Sequence, residues 1–334
     1  MRAKSSPSAP WPGFPFGHSD VSWASSLGPE LPCSRTRFSS GPRMREHSVR
    51  LETGRKLLVR EDGKPDGIPV FSLHGTPGCR LMPNLFTDDA ATKGIRLISY
   101  DRPGYGGSTP APGRRVVDVA SDVAAIADEL GLEKFGVWGV SGGGAPALAC
   151  AAALPKRVLG AASLAGFAPY GADGLDYFAG MGELNIAEFQ LMLKDRPAWE
   201  AMSRQARDAL IATTPDQLRD RWSSLLSEVD RKSLTEEVVA WLISGIKEGL
   251  RTGDAGLRDD SLSLAMPWGF DLREIHVPVQ IWHGGQDRFV PFSHGQWLAA
   301  QIPGADVHLE PDEGHLTIVF RHLPDVEAWL ASKC

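Results

Sequence analysis

Ser141 sits in Gly139-Val140-Ser141-Gly142-Gly143, between the apolar run FGVWGV and the small-residue run GGAPALACAAALP. A serine hydroxyl stays protonated in water and attacks poorly unless a neighbouring base takes its proton. The glycines suit a sharp turn from strand to helix, where larger side chains would collide, and the stretch fits the GxSxG elbow. At the start of the following helix the Gly142 N–H would face the reaction centre, where unpaired donors and the helix dipole favour an oxyanion. GxSxG alone is a weak signal, since a flexible Gly-Ser-Gly turn has the same residues. The strand–turn–helix context is what makes Ser141 a nucleophile candidate.

A nucleophilic serine needs a base, and the base needs an orienting carboxylate. Of nine histidines, His315 in EPDEGHLT lies in a loop between the last strand pattern and the closing helix. His74, in LHGTPG, reads as a backbone or packing residue; His283 ends a strand, and His276, His294, His308 and His322 read as ordinary surface or core positions. The acid candidate is Asp287 in WHGGQDRFVP, just past a strand end. Asp312 and Glu313 are nearer to His315 in the chain but read as solvated loop acids. The resulting order, Ser…Asp…His, is one of the known chain orders for this constellation. A second oxyanion donor is expected from the loop after an early strand. HGTPG at 74–78 is that loop, and the Thr76 N–H is the expected partner of the Gly142 N–H. DRPGYGGS at 101–108 is another strand-end loop, which Asp101 and Arg102 are expected to shape without taking part in chemistry.

These loops need a frame. HSVRLE and RKLLVRE alternate like the arms of a hairpin, with Thr53-Gly54 as the turn. Short and nearly continuous apolar runs follow: IPVFSLHG, IRLISYD, FGVWGV, VLGAASLAG, VPVQIWHG and ADVHLEP. Such runs suit strands buried on both faces, and helical patterns separate them, so a mostly parallel sheet flanked by helices is predicted. The closing pattern LTIVFRHLPDVEAWLASK reads as a helix interrupted at Pro324. Between Gly166 and Val277 no strand-like run occurs. ELNIAEFQLMLK, PDQLRDRWSSLLSE and LTEEVVAWLISGIKEGL are helical there, with Thr214 and Pro215 as a helix start. The expected division is a core of residues 44–166 and 267–334, with 167–266 as a helical insertion over the carboxyl ends of the strands, where open sheets bind ligands. Residues 1–43, rich in Ser, Pro and Gly and without periodicity, are expected to be a disordered tail, with a transit peptide or a start read too early as alternatives.

Composition narrows the classes. Charged residues make up 23% and the net charge is −6, with no basic run, so nucleic acid is not an expected partner. Four scattered cysteines without CxxC spacing argue against a zinc site or a disulfide framework, and for a reducing, cytoplasmic setting. No stretch reaches the roughly 18 apolar residues of a membrane span.

From about residue 46 onward the chain resembles an α/β-hydrolase-fold enzyme with a helical cap. HGTPG, DRPGYGGS, GVSGGG, GGQDRFVP and DEGH carry the resemblance, in that order. It implies Ser141 as nucleophile, His315 as base, Asp287 as its partner, and no cofactor or metal. Aspartate-nucleophile members, the epoxide hydrolases and haloalkane dehalogenases, do not match Ser141. HGTPG is similar to the HGGPG of proline iminopeptidases, but those enzymes carry tryptophan after the serine, where this chain has Gly142. The expectation is hydrolysis of a small to medium apolar ester or a related acyl compound, with amides and thioesters as open alternatives. Phe178, Phe189, Trp199, Trp222 and Trp241 are offered either as substrate contacts or as the core of the insertion. A lyase or cofactor-free haloperoxidase on the same residues, or a non-catalytic ligand receptor, are the alternatives.

Overall fold

The computed structural model describes residues 44–333; the tail expected over 1–43 lies outside them, as do Cys33 and Cys334. The first two strands, β1 (Arg45–Arg50) and β2 (Lys56–Gly63), form the expected antiparallel hairpin. Gly54 makes its turn at φ +80°, a conformation that costs glycine little. Next come β3 (Ile68–Leu73), α1 (Asn84–Thr92), β4 (Ile95–Tyr100), α2 (Val119–Glu129), β5 (Phe135–Val140), α3 (Gly144–Ala153) and β6 (Val158–Leu164). Six helices then occupy the interval before the next strand: α4 (Glu183–Lys194), α5 (Arg196–Ile211), α6 (Pro215–Arg221), α7 (Glu228–Ser233), α8 (Glu236–Gly249) and α9 (Ala255–Ala265). The chain ends with β7 (Val279–Gly284), α10 (Phe292–Gln301), β8 (Asp306–Glu310) and α11 (Thr317–Ala331).

All eight strands join one sheet in the order β1-β2-β4-β3-β5-β6-β7-β8, parallel from β4 onward. The near-continuous apolar runs have a direct cause. Successive strand residues point to opposite faces, and both faces are covered. Phe71, Val137, Ala161 and Ile281 pack on one face with Val123 and Ile126 of α2 and Leu148 of α3. Their neighbours Val70, Trp138, Ala162 and Trp282 pack on the other with Phe86 of α1 and Ile318, Val326 and Leu330 of α11.

Two helical expectations are corrected. α11 runs through Pro324 without a break, because Leu323, Val326 and Leu330 are all fully buried against the sheet, and that packing outweighs the lost backbone hydrogen bond. The pattern over 215–228 does not form one helix. Thr214 and Gln217 make a capping box at the start of α6, which stops at Arg221, and a fresh helix begins at Glu228 behind the Ser227 cap. Helices α1, α5 and α9 were not foreseen. Among the described residues no helix is long and apolar enough to cross a membrane, and Cys79 and Cys150 are buried and unbridged.

Candidate active site

β5 ends at Val140, and Ser141 follows it with a left-handed φ of 54°, a region that ordinarily costs a non-glycine residue about 1–3 kcal/mol. The surroundings hold it there. A Cβ at Gly143 would come 2.7 Å from the His74 carbonyl oxygen, so the turn after the serine can pass this close to the β3 loop only as glycine. The strained serine therefore projects from the turn rather than packing against it, and it lines a cavity of about 160 Å³ together with His315.

His315 lies between β8 and α11, and Asp287 three residues beyond the end of β7. Both are buried, and His315 Nδ1 is 2.7 Å from Asp287 Oδ2. A carboxylate only accepts, so Nδ1 carries the proton and Nε2 is left as the basic nitrogen. The Asp287 carboxylate is itself fixed, its Oδ1 accepting from the backbone N–H groups of Phe289 (2.8 Å) and Val290 (2.9 Å). The Phe289 ring stacks on the imidazole with centroids 4.5 Å apart. Burial pulls the His315 pKa down, but the charge and hydrogen bond of Asp287, with the charge of Asp230, outweigh it and leave it above the ordinary histidine value. Ser141 and His315 thus face one cavity, while no hydrogen bond joins Ser141 Oγ to the imidazole among the described residues.

Thr76 and Gly142 abut. A Cβ built on Gly142 would lie 2.9 Å from the Thr76 Cβ and 3.4 Å from the Thr76 nitrogen. The Thr76 hydroxyl is tied down: it donates to Asp260 of α9 and accepts from Arg102 Nη2 at 3.2 Å. Asp260 also accepts from Arg102 Nη1 (2.6 Å), Arg114 Nη2 (2.8 Å) and the Tyr105 hydroxyl (2.8 Å). Burial works against the charged form of Asp260, but the two arginines overcome it and hold its pKa below the usual carboxylate range.

The other candidates take structural places. Asp101 accepts from Arg80 N (2.9 Å) and Gly107 N (2.8 Å), which shapes its loop as expected. His74 is pushed down to about 3, first by burial and then by the Arg102 charge, so it is neutral; its Nε2 accepts from Arg102 N at 3.1 Å. His283 and His294 are fully buried and bonded to the Val290 and Tyr177 carbonyls. Asp312 is exposed, but Glu313 is not solvated: it is buried, and Arg321 reaches back from α11 to bind it at 2.8 Å.

Two compartments meet at Ser141. The 160 Å³ one is largely apolar, walled by Phe86, Trp138, Trp241, Leu242, Val319 and Phe320. The other, about 140 Å³, carries polar groups including Asn185, Glu188 and Arg221. Thr76, Trp222 and Phe289 line both. Of the five aromatic candidates, Trp222 and Trp241 reach the cavities and Phe189 edges the second. Trp199 is fully buried and Phe178 packs on the core.

Asp260 and Asp230 escaped the sequence reading. Ser227-Glu-Val-Asp230 is a visible capping pattern for its own helix, but nothing local shows that either carboxylate docks on a candidate-site loop far away in the chain.

A family model described as alpha/beta hydrolase fold matches residues 68–321. A dihydrolipoyllysine-residue acetyltransferase component of an acetoin cleaving system from Pseudomonas putida is 29% identical over 274 residues, covering 79% of this chain and 62% of that protein. A proline iminopeptidase from Neisseria meningitidis is 36% identical over 111 residues, covering 31% of this chain and 34% of that protein. The chain therefore spans less than two thirds of the length of either relative. A solved thermophilic esterase from Thermogutta terrifontis superposes with a TM-score of 0.62 at 22% identity, covering 87% of this chain and 99% of that one.

Proposed function

The chain belongs to the alpha/beta hydrolase fold family, and we propose that it is a serine hydrolase that transfers an acyl group from a small to medium apolar ester to water. The observation that carries this reading is the strained Ser141 facing the same cavity as a buried histidine whose Nδ1 is already held by Asp287.

In this reading Ser141 Oγ attacks the ester carbonyl while His315 Nε2 takes its proton. The imidazolium then gives that proton to the leaving alkoxide, and an acyl-enzyme remains. Water repeats the cycle in the second half-reaction. The 2.7 Å bond to Asp287 stabilises the imidazolium in each step. Unliganded sites often hold serine and base further apart than the reacting complex does, and bound ester completes the alignment. The N–H groups of Thr76 and Gly142 receive the oxyanion, and Asp260 and Arg102 keep Thr76 in place. Residues 167–266 act as a cap that selects substrate, since Trp241 and Leu242 form part of the apolar wall beside the serine.

The test is a panel of p-nitrophenyl esters of increasing acyl length, hydrolysed by wild type and Ser141→Ala. The reading expects wild-type turnover with a preference for short to medium apolar acyl groups, and none with the variant. Equal rates for the two proteins contradict it.

A further inference from the structure

The His315 loop is held from behind by a carboxylate of the helical segment. Asp230, the third residue of α7, is 0% exposed. Its Oδ2 accepts from the His315 N–H (3.0 Å) and the Ser227 hydroxyl (2.8 Å), and its Oδ1 from the N–H groups of Leu316 (2.8 Å) and Thr317 (3.2 Å). Those three N–H groups open α11, whose own cap residue Leu316 supplies no side-chain bond. The cap comes instead from 85 to 87 positions earlier in the chain. The fit is close: a Cβ on Gly314 would fall 2.5 Å from the Asp230 Cγ and nearer still to both oxygens.

A buried carboxylate is strongly unfavourable unless it is paired or fully hydrogen-bonded. Among the described residues no lysine or arginine pairs with Asp230, so its four donors and the positive end of α11 must stabilise it. A helix cap can be made with an ordinary Ser or Asn in the same segment. Here the carboxylate instead bonds the backbone of the residue that bears the base.

We propose that Asp230 is a positioning residue of the reaction, which fixes the backbone from which the His315 imidazole projects and sets a second negative charge behind the imidazolium formed during turnover. This rests on His315 being the base. Three titratable groups face His315: Asp287 from the loop after β7, His283 of β7 and Asp230 of α7. Burial keeps His283 neutral, and Glu313 is turned to Arg321. Asp287 and Asp230 are therefore the two charges that support a protonated imidazole. Because Asp230 belongs to the segment that also walls the cavity, substrate pocket and base are one mechanical unit.

The test is Asp230→Asn in the whole 334-residue chain. An amide keeps the shape, removes the charge and offers an acceptor to only one of the two pairs of donors. Two readouts are needed: the pH dependence of covalent labelling of Ser141 by a fluorophosphonate, and kcat and KM for p-nitrophenyl butyrate. The expected result is a labelling midpoint at lower pH than wild type, with kcat down about 10- to 100-fold and KM within about threefold. A folded variant with the wild-type midpoint overturns the proposal, whether or not its rate has fallen, because a purely structural cap would leave that midpoint alone. Asp230→Ser carries the test if Asp230→Asn does not fold. It keeps a hydroxyl acceptor of the kind that caps helices and removes the charge, so the labelling midpoint should again fall below that of wild type, and a wild-type midpoint overturns the proposal. Wild-type protein that is not labelled at any pH overturns the base assignment itself, an outcome distinct from either variant result.

Discussion

Gly142→Ala probes the proposed oxyanion site at the point where its two loops touch. The added methyl would sit 2.9 Å from the Thr76 Cβ, closer still to its Oγ1, and 3.4 Å from its nitrogen. Carbon atoms pack comfortably at about 3.5–4.0 Å, so Thr76 must retreat by roughly 0.6–1.1 Å. It has little freedom to do so, since its hydroxyl is held by Asp260 and Arg102, both buried and bonded to further partners. Overpacking of this kind costs about 1–3 kcal/mol of stability, which for a domain of this size lowers Tm by about 2–5 °C. The larger effect falls on chemistry. Displacing one oxyanion donor costs about 2.7–4 kcal/mol of barrier, or about 10²–10³ in kcat. The interaction exists only in the transition state, so kcat and kcat/KM should fall together while KM holds. Steady-state kinetics on p-nitrophenyl acetate, with a melting curve as the fold control, read this directly. A folded Gly142→Ala protein with wild-type kcat would refute the placement of the oxyanion site between Thr76 and Gly142.

Three further outcomes are expected. Asp287→Asn should remain folded and lose about 10⁴ in kcat, because an amide no longer holds the imidazole in the reactive tautomer; a loss below about tenfold would assign the orienting acid elsewhere. The rate should rise with pH to a plateau with its midpoint above about 6.5, since only the neutral imidazole accepts a proton and the His315 pKa is raised; a midpoint at or below that value in a pH–rate profile contradicts the assignment. Glu327 of α11 is buried and its carboxyl is pushed up to about 8. The folded chain thus holds a proton that the unfolded chain has lost above its ordinary carboxyl value, and stability drains away between about pH 4.5 and 8. Glu327→Gln should flatten that slope and raise Tm by about 5 °C at pH 8.5, and parallel Tm–pH curves for the two proteins would count against it.

The frame was legible because its cause is periodic and local. Strands covered on both faces must be apolar along most of their length, and β3 to β7 are, so their positions stood out between helical patterns. The loops that carry the candidates Ser141, Asp287, His315 and Thr76 were legible for a related reason: each follows a strand and has glycines or prolines that mark a forced path. Pro324 misled because the rule for proline concerns an isolated helix, while α11 is pinned along its length by the sheet. Glu313 misled because its partner, Arg321, lies a further two helical turns on. Asp230 and Asp260 were out of reach. Their partners on the site loops lie 85 and more positions away, and an aspartate that caps a remote helix looks the same in sequence as one that faces water.

The central claim is that Ser141 is a nucleophile served by His315, and covalent capture tests it most directly. Wild-type protein treated with a fluorophosphonate at pH 8 should gain one adduct, located on Ser141 by peptide mass spectrometry, and His315→Ala should gain almost none because the hydroxyl proton then has no acceptor. An unlabelled wild type that is folded, or a His315→Ala protein labelled at the wild-type rate, would contradict the account.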